Sequence, residues 1–200
     1  MDTSVKAQIK NKIKSGQRGK IYFPSDFSQS GNVESVKKAL FRLEEEGFLV
    51  RLSHGIYLYP KTDKILGVRY PSIDEIAKVI AKRDRARIIP TGVQALNKLG
   101  LSTQIPMQVV YLTDGSPRSI KVGRRSLKFK KTTPKNLSLK GEISSLVIQA
   151  LREIGKDRLA NEQRLKVKEW LLKEEKEMIK HDANLAPAWM RGILLEPVNK

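Results

Sequence analysis

The stretch Asn32–Tyr59, NVESVKKALFRLEEEGFLVRLSHGIYLY, decides the fold of the N-terminal part of the chain. Its first half repeats apolar residues at the three- and four-residue spacings of one helix face, namely Val33, Val36, Leu40 and Leu43. Asn32 is a good N-cap for this helix, and Gly47 is a typical residue for its C-terminal end. Two short apolar runs, 48–52 and 56–59, then flank Ser53-His54-Gly55, which predicts a tight β-hairpin.

Shorter elements precede this stretch. Val5, Ile9 and Ile13 predict an amphipathic helix, Lys20–Phe23 is a short β-prone run, and Pro24 with Ser25 opens a brief helix. A helix, a strand, a short helix, a longer helix and a hairpin form the element order of a winged helix-turn-helix. We therefore predict a DNA-binding winged helix-turn-helix over residues 1–60, followed by a linker over residues 61–70.

Residues 71–200 are expected to form a second domain. The pattern predicts a helix start with a capping box at Ser72 and Glu75, and a small antiparallel sheet from the runs 107–113, 118–122 and 126–131. From about residue 138 the pattern is helical, with Leu165 and Leu172 among the residues predicted to face inward. The predicted fold class is α+β, with a winged helix-turn-helix at the N-terminus and a helical C-terminal segment.

Four residues of the longer helix are the first candidates for base or phosphate contacts, because they lie opposite its apolar stripe. They are Asn32, Ser35, Lys38 and Arg42. An ordinary solvated helix face would look the same in isolation, and it is the surrounding element order that favours DNA binding. Arg51 and His54 at the hairpin, with Lys20, are the candidates for wing and backbone contacts, although a histidine in a turn also occurs without function.

The charge of the chain is strongly positive but uneven. The 39 Lys and Arg against 21 Asp and Glu leave a net charge of +18, of which residues 61–140 carry +13 and residues 1–60 only +4. Residues 118–140 hold nine basic side chains and no acid, so we predict a basic middle-domain face made by Lys121, Arg124, Arg125, Lys128 and Lys130. This face could extend a DNA footprint, bind RNA, or dock an acidic protein, and the pattern does not choose among these partners.

Other classes of protein are disfavoured. The absence of cysteine excludes disulfides and thiolate metal sites, and two histidines are too few for a histidine-rich site, so no metal or cofactor is predicted. No catalytic motif is found, and we predict a non-enzymatic protein. With no long apolar run and no signal-like N-terminus, a cytoplasmic location without a membrane partner is expected.

Two blocks of sequence carry a family resemblance. The first runs from Val33 to Leu49 with the pattern V-x-x-V-x-x-A-L-x-x-L-x-x-x-G-F-L, followed by His54-Gly55-Ile56-Tyr57. The second joins Pro90-Thr91-Gly92 through Ala95-Leu96 to Leu99-Gly100-Leu101-Ser102-Thr103-Gln104-Ile105-Pro106, and continues at Tyr111-Leu112-Thr113-Asp114-Gly115. In these blocks the chain resembles the AbiEi-like antitoxins of type IV abortive-infection toxin–antitoxin systems.

This resemblance implies a function for each half of the chain. The N-terminal half of such a bacterial protein is expected to bind inverted repeats in double-stranded DNA of its own promoter and to repress transcription. The C-terminal half is expected to act as an antitoxin against a nucleotidyltransferase-like toxin, by a route that need not involve a stable complex. The alternative is a protein- or RNA-interaction module that uses the basic middle-domain face without sequence-specific DNA binding.

Overall fold

The computed structural model describes residues 4–104 and 106–198 of a mixed α+β chain. Residues 1–3 of the N-terminal segment, and Ile105 of the second resemblance block, lie outside the described residues. Within the described ranges, no helix is both long and apolar enough to cross a membrane. The elements, in chain order, are α1 (Val5–Lys14), β1 (Ile21–Tyr22), a 3-10 helix (Pro24–Phe27), α2 (Val33–Glu45), β2 (Val50–Ser53), β3 (Ile56–Leu58), β4 (Lys61–Asp63), β5 (Gly67–Arg69), α3 (Ile73–Arg83), β6 (Ile88–Pro90), α4 (Gly92–Lys98), β7 (Gln108–Thr113), β8 (Arg118–Val122), β9 (Arg125–Lys131), α5 (Pro134–Leu137), α6 (Glu142–Ile154), α7 (Asn161–Leu171), α8 (Lys176–Leu185) and α9 (Ala188–Leu195).

Residue contacts divide the chain into two compact units, one of residues 1–79 with 121–123 and one of residues 80–120 with 124–200. The first unit contains the helix, strand, short helix, longer helix and hairpin predicted for residues 1–60, in that order. Its three-stranded sheet has the order β1-β3-β2, and both outer strands run antiparallel to β3. In this sheet Leu58 lies opposite Ile21 on one side and Val50 on the other.

The core of the first unit forms where α1, α2 and the 3-10 helix meet. Ile9 and Ile13 of α1 are fully buried, as are Phe27 of the 3-10 helix and Leu40 and Leu43 of α2. The four-residue spacing in α1 and the three-residue spacing in α2 place each pair on one helix face, as predicted. Burying an aliphatic or phenylalanine side chain of this size contributes about 1.5–3 kcal/mol, so this cluster holds α2 firmly in place.

The segment predicted as a linker, residues 61–70, contains a two-stranded antiparallel hairpin. β4 pairs with β5, so that Lys61 lies opposite Arg69 and Asp63 lies opposite Gly67. The side chains of this hairpin are mostly exposed. After it, the predicted capping box opens α3, since the Ser72 amide donates to Glu75 Oε2 at 2.7 Å and the Glu75 amide donates to Ser72 Oγ at 3.2 Å.

The sheet of the second unit is mixed. Its strand order is β6-β7-β9-β8, and β6 runs antiparallel to β7. β7 and β9 run parallel, with Val109 opposite Leu127 and Tyr111 opposite Phe129. The prediction of a small antiparallel sheet from the runs 107–113, 118–122 and 126–131 is therefore wrong in one respect, because the first and third of these strands pair in parallel. After β7 the chain first forms the edge strand β8, and it then turns back to form β9 between β8 and β7. Because the chain reverses direction twice, β9 runs parallel to β7.

The C-terminal helices pack around α6. Ile148 and Leu151 of α6 and Val167 and Leu171 of α7 are buried in one cluster. The prediction that Leu165 and Leu172 face inward is wrong, because their side chains are 62% and 64% exposed. At about 100° per residue, Leu165 points roughly 200° away from Val167, and Leu172 follows the last residue of the helix.

The N-terminus of α6 is capped by carboxylates from distant positions in the chain. Asp182 is fully buried, and it accepts hydrogen bonds from the Lys140 amide at 2.8 Å, the Gly141 amide at 3.0 Å and Ser144 Oγ at 2.5 Å. Glu174 Oε2 accepts from the Ile143 amide at 2.7 Å. These carboxylates satisfy amides that have no partner within the helix, and they favour its positive end.

Candidate nucleic-acid interface

The two faces of α2 differ in burial and in chemistry. Val36, Leu40 and Leu43 are buried against the first unit's core, whereas Lys38 and Arg42 are exposed on the opposite side. Val33 does not belong to the buried face as predicted, since its side chain is 66% exposed. It occupies the first turn of the helix, ahead of the residues that contact the core.

Phe41 is a member of the exposed face that the sequence interpretation missed. Its side chain is 48% exposed. It lies three residues after Lys38, so helical spacing alone would have placed it beside that cation. The exposed surface of α2 therefore presents Lys38 and Arg42 as i,i+4 neighbours, with the aromatic ring of Phe41 on the other side of Lys38.

The N-terminal candidates, Asn32 and Ser35, take part in the cap of α2. Asn32 Oδ1 accepts from the Ser35 amide at 2.8 Å and from Ser35 Oγ at 2.8 Å. The Ser35 hydroxyl also lies 2.9 Å from the Asn32 carbonyl oxygen. These oxygens therefore serve the helix end, while the Asn32 side-chain nitrogen donates to no described residue.

Lys38 and Arg42 differ from the other cations near α2 because neither forms an ion pair with a described carboxylate. Lys37 is paired with Glu34 at 3.0 Å. Lys6 and Lys10 of α1 are both paired with Glu46, and their hydrogen bonds lower the pKa of that carboxyl group. Two positive charges on α2 are thus left available to an external anion.

The two candidate residues of the β2–β3 hairpin, Arg51 of β2 and His54 of the turn, contact each other. Arg51 Nη2 lies 3.1 Å from His54 Nδ1, and Arg51 Nη1 lies 3.9 Å from Glu44 Oε2. Lys20, the third candidate, is exposed, and its ammonium group lies 5.1 Å from the centre of the Tyr22 ring. The carboxylate of Glu44 beside Arg51 reduces the positive field that the β2–β3 hairpin offers a phosphate.

A surface groove that the sequence interpretation did not anticipate lies beside the N-terminus of α2. Its volume is about 540 Å³. It is lined by Pro24, Ser25, Ser28, Gly31, Asn32, Val33 and Val36. The exposed side chain of Val33 forms part of its wall. No sequence pattern signals this groove, because it arises from the packing of the 3-10 helix against α2.

The basic face of the middle domain is built chiefly on β9. Leu127 and Phe129 are buried, and Lys128 and Lys130 alternate with them on the other face, as the period-two pattern predicts. In register, Lys128 lies opposite Val110 of β7. Arg124 and Arg125 are exposed, and so is Lys121 of β8, which the residue contacts group with the first unit.

Among the described residues, no group of three His, Asp or Glu side chains is arranged to hold a metal ion.

Comparison with known proteins matches the chain to a family whose function is unknown. A family model described as a family of unknown function, DUF6088, matches residues 8–179. No curated protein matches the chain. Among solved structures, the chain is similar to one described as the crystal structure of RV2827C protein from Mycobacterium tuberculosis, with 12% identity and a TM-score of 0.44. That match covers 97% of this chain and 78% of the other.

Proposed function

The chain belongs to the DUF6088 family, whose function is unknown, and we propose from its own residues that it is a DNA-binding transcriptional autorepressor. In this proposal residues 1–60 form a winged helix-turn-helix, α2 enters the major groove, and the β2–β3 hairpin is its wing. The element order and the three-stranded sheet β1-β3-β2 support this assignment.

The observation that carries the proposal is the exposed face of α2. Lys38 and Arg42 project from it without a carboxylate partner among the described residues, while the opposite face is fixed in the core. Arg and Lys donate to the O6 and N7 atoms of guanine and to phosphate oxygens. An unpaired cation on a firmly packed helix brings these donors to DNA without first breaking an ion pair.

The second part of the proposal is an antitoxin role in a type IV toxin–antitoxin system, acting in the bacterial cytoplasm without enzymatic activity. It rests on the resemblance of the 90–106 and 111–115 blocks to AbiEi-like antitoxins. In the structure, the loop after α4 is ordered by Asn97, whose side-chain nitrogen donates to the Gln104 carbonyl oxygen at 3.1 Å. Thr103 and Gln104 of this loop are exposed, so they are accessible to a partner.

The DNA-binding part is tested by a gel shift with the chain's own upstream promoter over a series of salt concentrations. We expect specific binding that the double variant Lys38→Ala/Arg42→Ala loses. The slope of log affinity against log salt concentration should become shallower by about 0.9 for each phosphate contact that the variant removes. The matched control Lys176→Ala/Lys180→Ala removes the same charge from exposed positions of α8 and should bind like the wild type.

Equal affinity for the promoter and for unrelated DNA would refute sequence-specific repression. The antitoxin part has a separate test, which is co-expression with a nucleotidyltransferase encoded in the adjacent reading frame. Restored growth in the presence of the chain is expected, and continued toxicity would exclude that role.

A second candidate function is favoured by one observation, the outward cations of β9. Lys128 and Lys130 share a face with Val110 and Leu112 of the neighbouring strand, so positive charge is combined with a half-buried apolar surface. Such a face suits structured RNA or an acidic protein. Lys128→Glu/Lys130→Glu should abolish capture of that partner while leaving promoter binding intact.

A further inference from the structure

The β4–β5 hairpin ends in a turn that its own backbone fixes. Asp63 Oδ1 accepts from the Ile65 amide at 2.8 Å and from the Leu66 amide at 3.0 Å. Gly67 closes the turn with φ of +71°, a conformation that favours glycine. An aspartate that binds two following amides in this way organises a turn without help from other elements.

Two large aliphatic side chains stand at the tip of this turn in full contact with solvent. Ile65 is 92% exposed and Leu66 is 80% exposed. Lys64 precedes them in the turn, and Lys61 and Arg69 lie opposite each other at the base of the hairpin. All three cations are exposed and none forms an ion pair with a described carboxylate. After backbone hydrogen bonds, the charge of Arg69 contributes to lowering the pKa of Asp63 and of Glu75. A soluble surface rarely leaves two adjacent aliphatic residues so exposed unless they contact a partner.

The base of the hairpin is attached to the body of the first unit. The Tyr59 amide donates to the Lys20 carbonyl oxygen at 2.9 Å, and the Gly19 amide donates to the Tyr59 carbonyl oxygen at 2.7 Å. Arg18 Nη1 donates to the carbonyl oxygen of buried Pro60 at 3.1 Å. Because β4 begins at the next residue, the exposed tip projects from a fixed point of the unit that carries α2.

We propose that this hairpin is a second DNA-contacting element, which inserts its tip into the minor groove of the DNA bound by the first unit. Ile65 and Leu66 contact the sugars and base edges of the groove floor, and Lys61, Lys64 and Arg69 bind the phosphates along its rims. The inference rests on the proposed DNA binding and adds to it a contact outside the recognition helix and the β2–β3 hairpin.

The chemistry of the tip favours this partner. A minor groove has a weakly polar floor of sugars and base edges between two rows of phosphates, and apolar side chains are known to wedge between its base steps. The hairpin matches that arrangement, with an apolar tip, Lys64 beside the tip, and Lys61 and Arg69 at its base. Arg51 of β2 already lies beside Glu44 and His54, whereas Lys61, Lys64 and Arg69 form no ion pair with a described carboxylate.

The test is dimethyl sulfate footprinting of the full-length chain on its own promoter, because one experiment reports both grooves. The reagent methylates guanine N7 in the major groove and adenine N3 in the minor groove. Wild type should protect both kinds of site. Ile65→Ser/Leu66→Ser should lose the adenine protections, keep the guanine protections, and bind about tenfold or more weakly, since two aliphatic contacts are lost.

Two further variants complete the test. Leu172→Ser removes a comparably exposed leucine from the end of α7 and should retain both kinds of protection. Lys61→Ala/Arg69→Ala should reduce the slope of log affinity against log salt by about 1.8, the value for two phosphate contacts. Circular dichroism is expected to be unchanged in every variant, because all these side chains are exposed.

The outcomes separate the two proposals. Guanine protection without adenine protection in the wild type, or adenine protection that survives Ile65→Ser/Leu66→Ser, would overturn the hairpin inference alone. Absence of both protections in the wild type would overturn DNA binding and the inference together. Loss of binding to phosphatidylserine vesicles in the double variant, with its footprint unchanged, would assign the tip to a lipid surface and overturn the inference.

Discussion

Replacing the buried carboxylate of Asp182 should destabilise the second unit strongly. Asp182→Ala removes the acceptor for the Lys140 and Gly141 amides and for Ser144 Oγ at the N-terminus of α6. A hydrogen bond to a charged group contributes about 1.5–3 kcal/mol, and buried donors left without an acceptor carry a further cost. Because these terms are not additive, we expect a total loss of about 3–5 kcal/mol, a large part of the stability of a typical domain.

The assay is urea unfolding followed by tryptophan fluorescence. Both tryptophans of the chain, Trp170 and Trp189, belong to the second unit, so their emission reports on that unit. Asp182→Asn should lower the free energy of unfolding by less, about 1–3 kcal/mol. It keeps one acceptor oxygen, and Ser144 Oγ can accept a hydrogen bond from the new amide. Asp157→Ala, at an exposed aspartate, is the control, expected within about 0.5 kcal/mol of wild type. A loss below about 1 kcal/mol for Asp182→Ala would refute the assignment of this residue as the cap of α6.

Three other changes have defined outcomes. Gly92→Ala would place a Cβ atom 2.4 Å from Glu153 Cβ, so urea unfolding should show a loss of about 1–3 kcal/mol, and an unchanged midpoint would contradict this close approach. Asp114→Asn should lower the free energy of unfolding at neutral pH, because hydrogen bonds from an arginine side chain and backbone amide hold the pKa of Asp114 below its ordinary value of 3.8. Its contribution is present above that value and is lost as pH falls through the lowered pKa, so the two proteins should converge in stability in acid. Leu171→Ala should cost about 2–5 kcal/mol in thermal unfolding whereas Leu172→Ala should be nearly neutral, because the first side chain is fully buried and the second is 64% exposed.

Local features of the fold were predictable from the sequence because short-range physics determines them. The spacing of Val36, Leu40 and Leu43 specified both the existence and the buried face of α2. Asn32 is confirmed as its N-cap, since Oδ1 accepts from the Ser35 amide. Gly47 is confirmed in the left-handed conformation, with φ of +67°. Each of these depends on residues within a few positions of one another.

Features that depend on distant residues could not be predicted in this way. The parallel pairing of β7 with β9 depends on which gap the returning strand fills, and periodicity carries no information on that choice. The same holds for the candidate site. Helical spacing placed Lys38 and Arg42 on the exposed face, but the contact of Arg51 with Glu44 required the packing of a hairpin against a helix end.

The composition of the first unit's core has a consequence for how the chain folds during synthesis. Among the described residues, the buried side chains of that unit's core cluster lie between Ile9 and Tyr59, so they leave the ribosome early. In the second unit, the N-terminus of α6 can be capped only after Glu174 and Asp182 have been synthesised. Since domains generally fold as units from the N-terminus, the core cluster of the first unit can form while the second unit is still being translated. A nascent chain would then already display α2 and the β4–β5 hairpin.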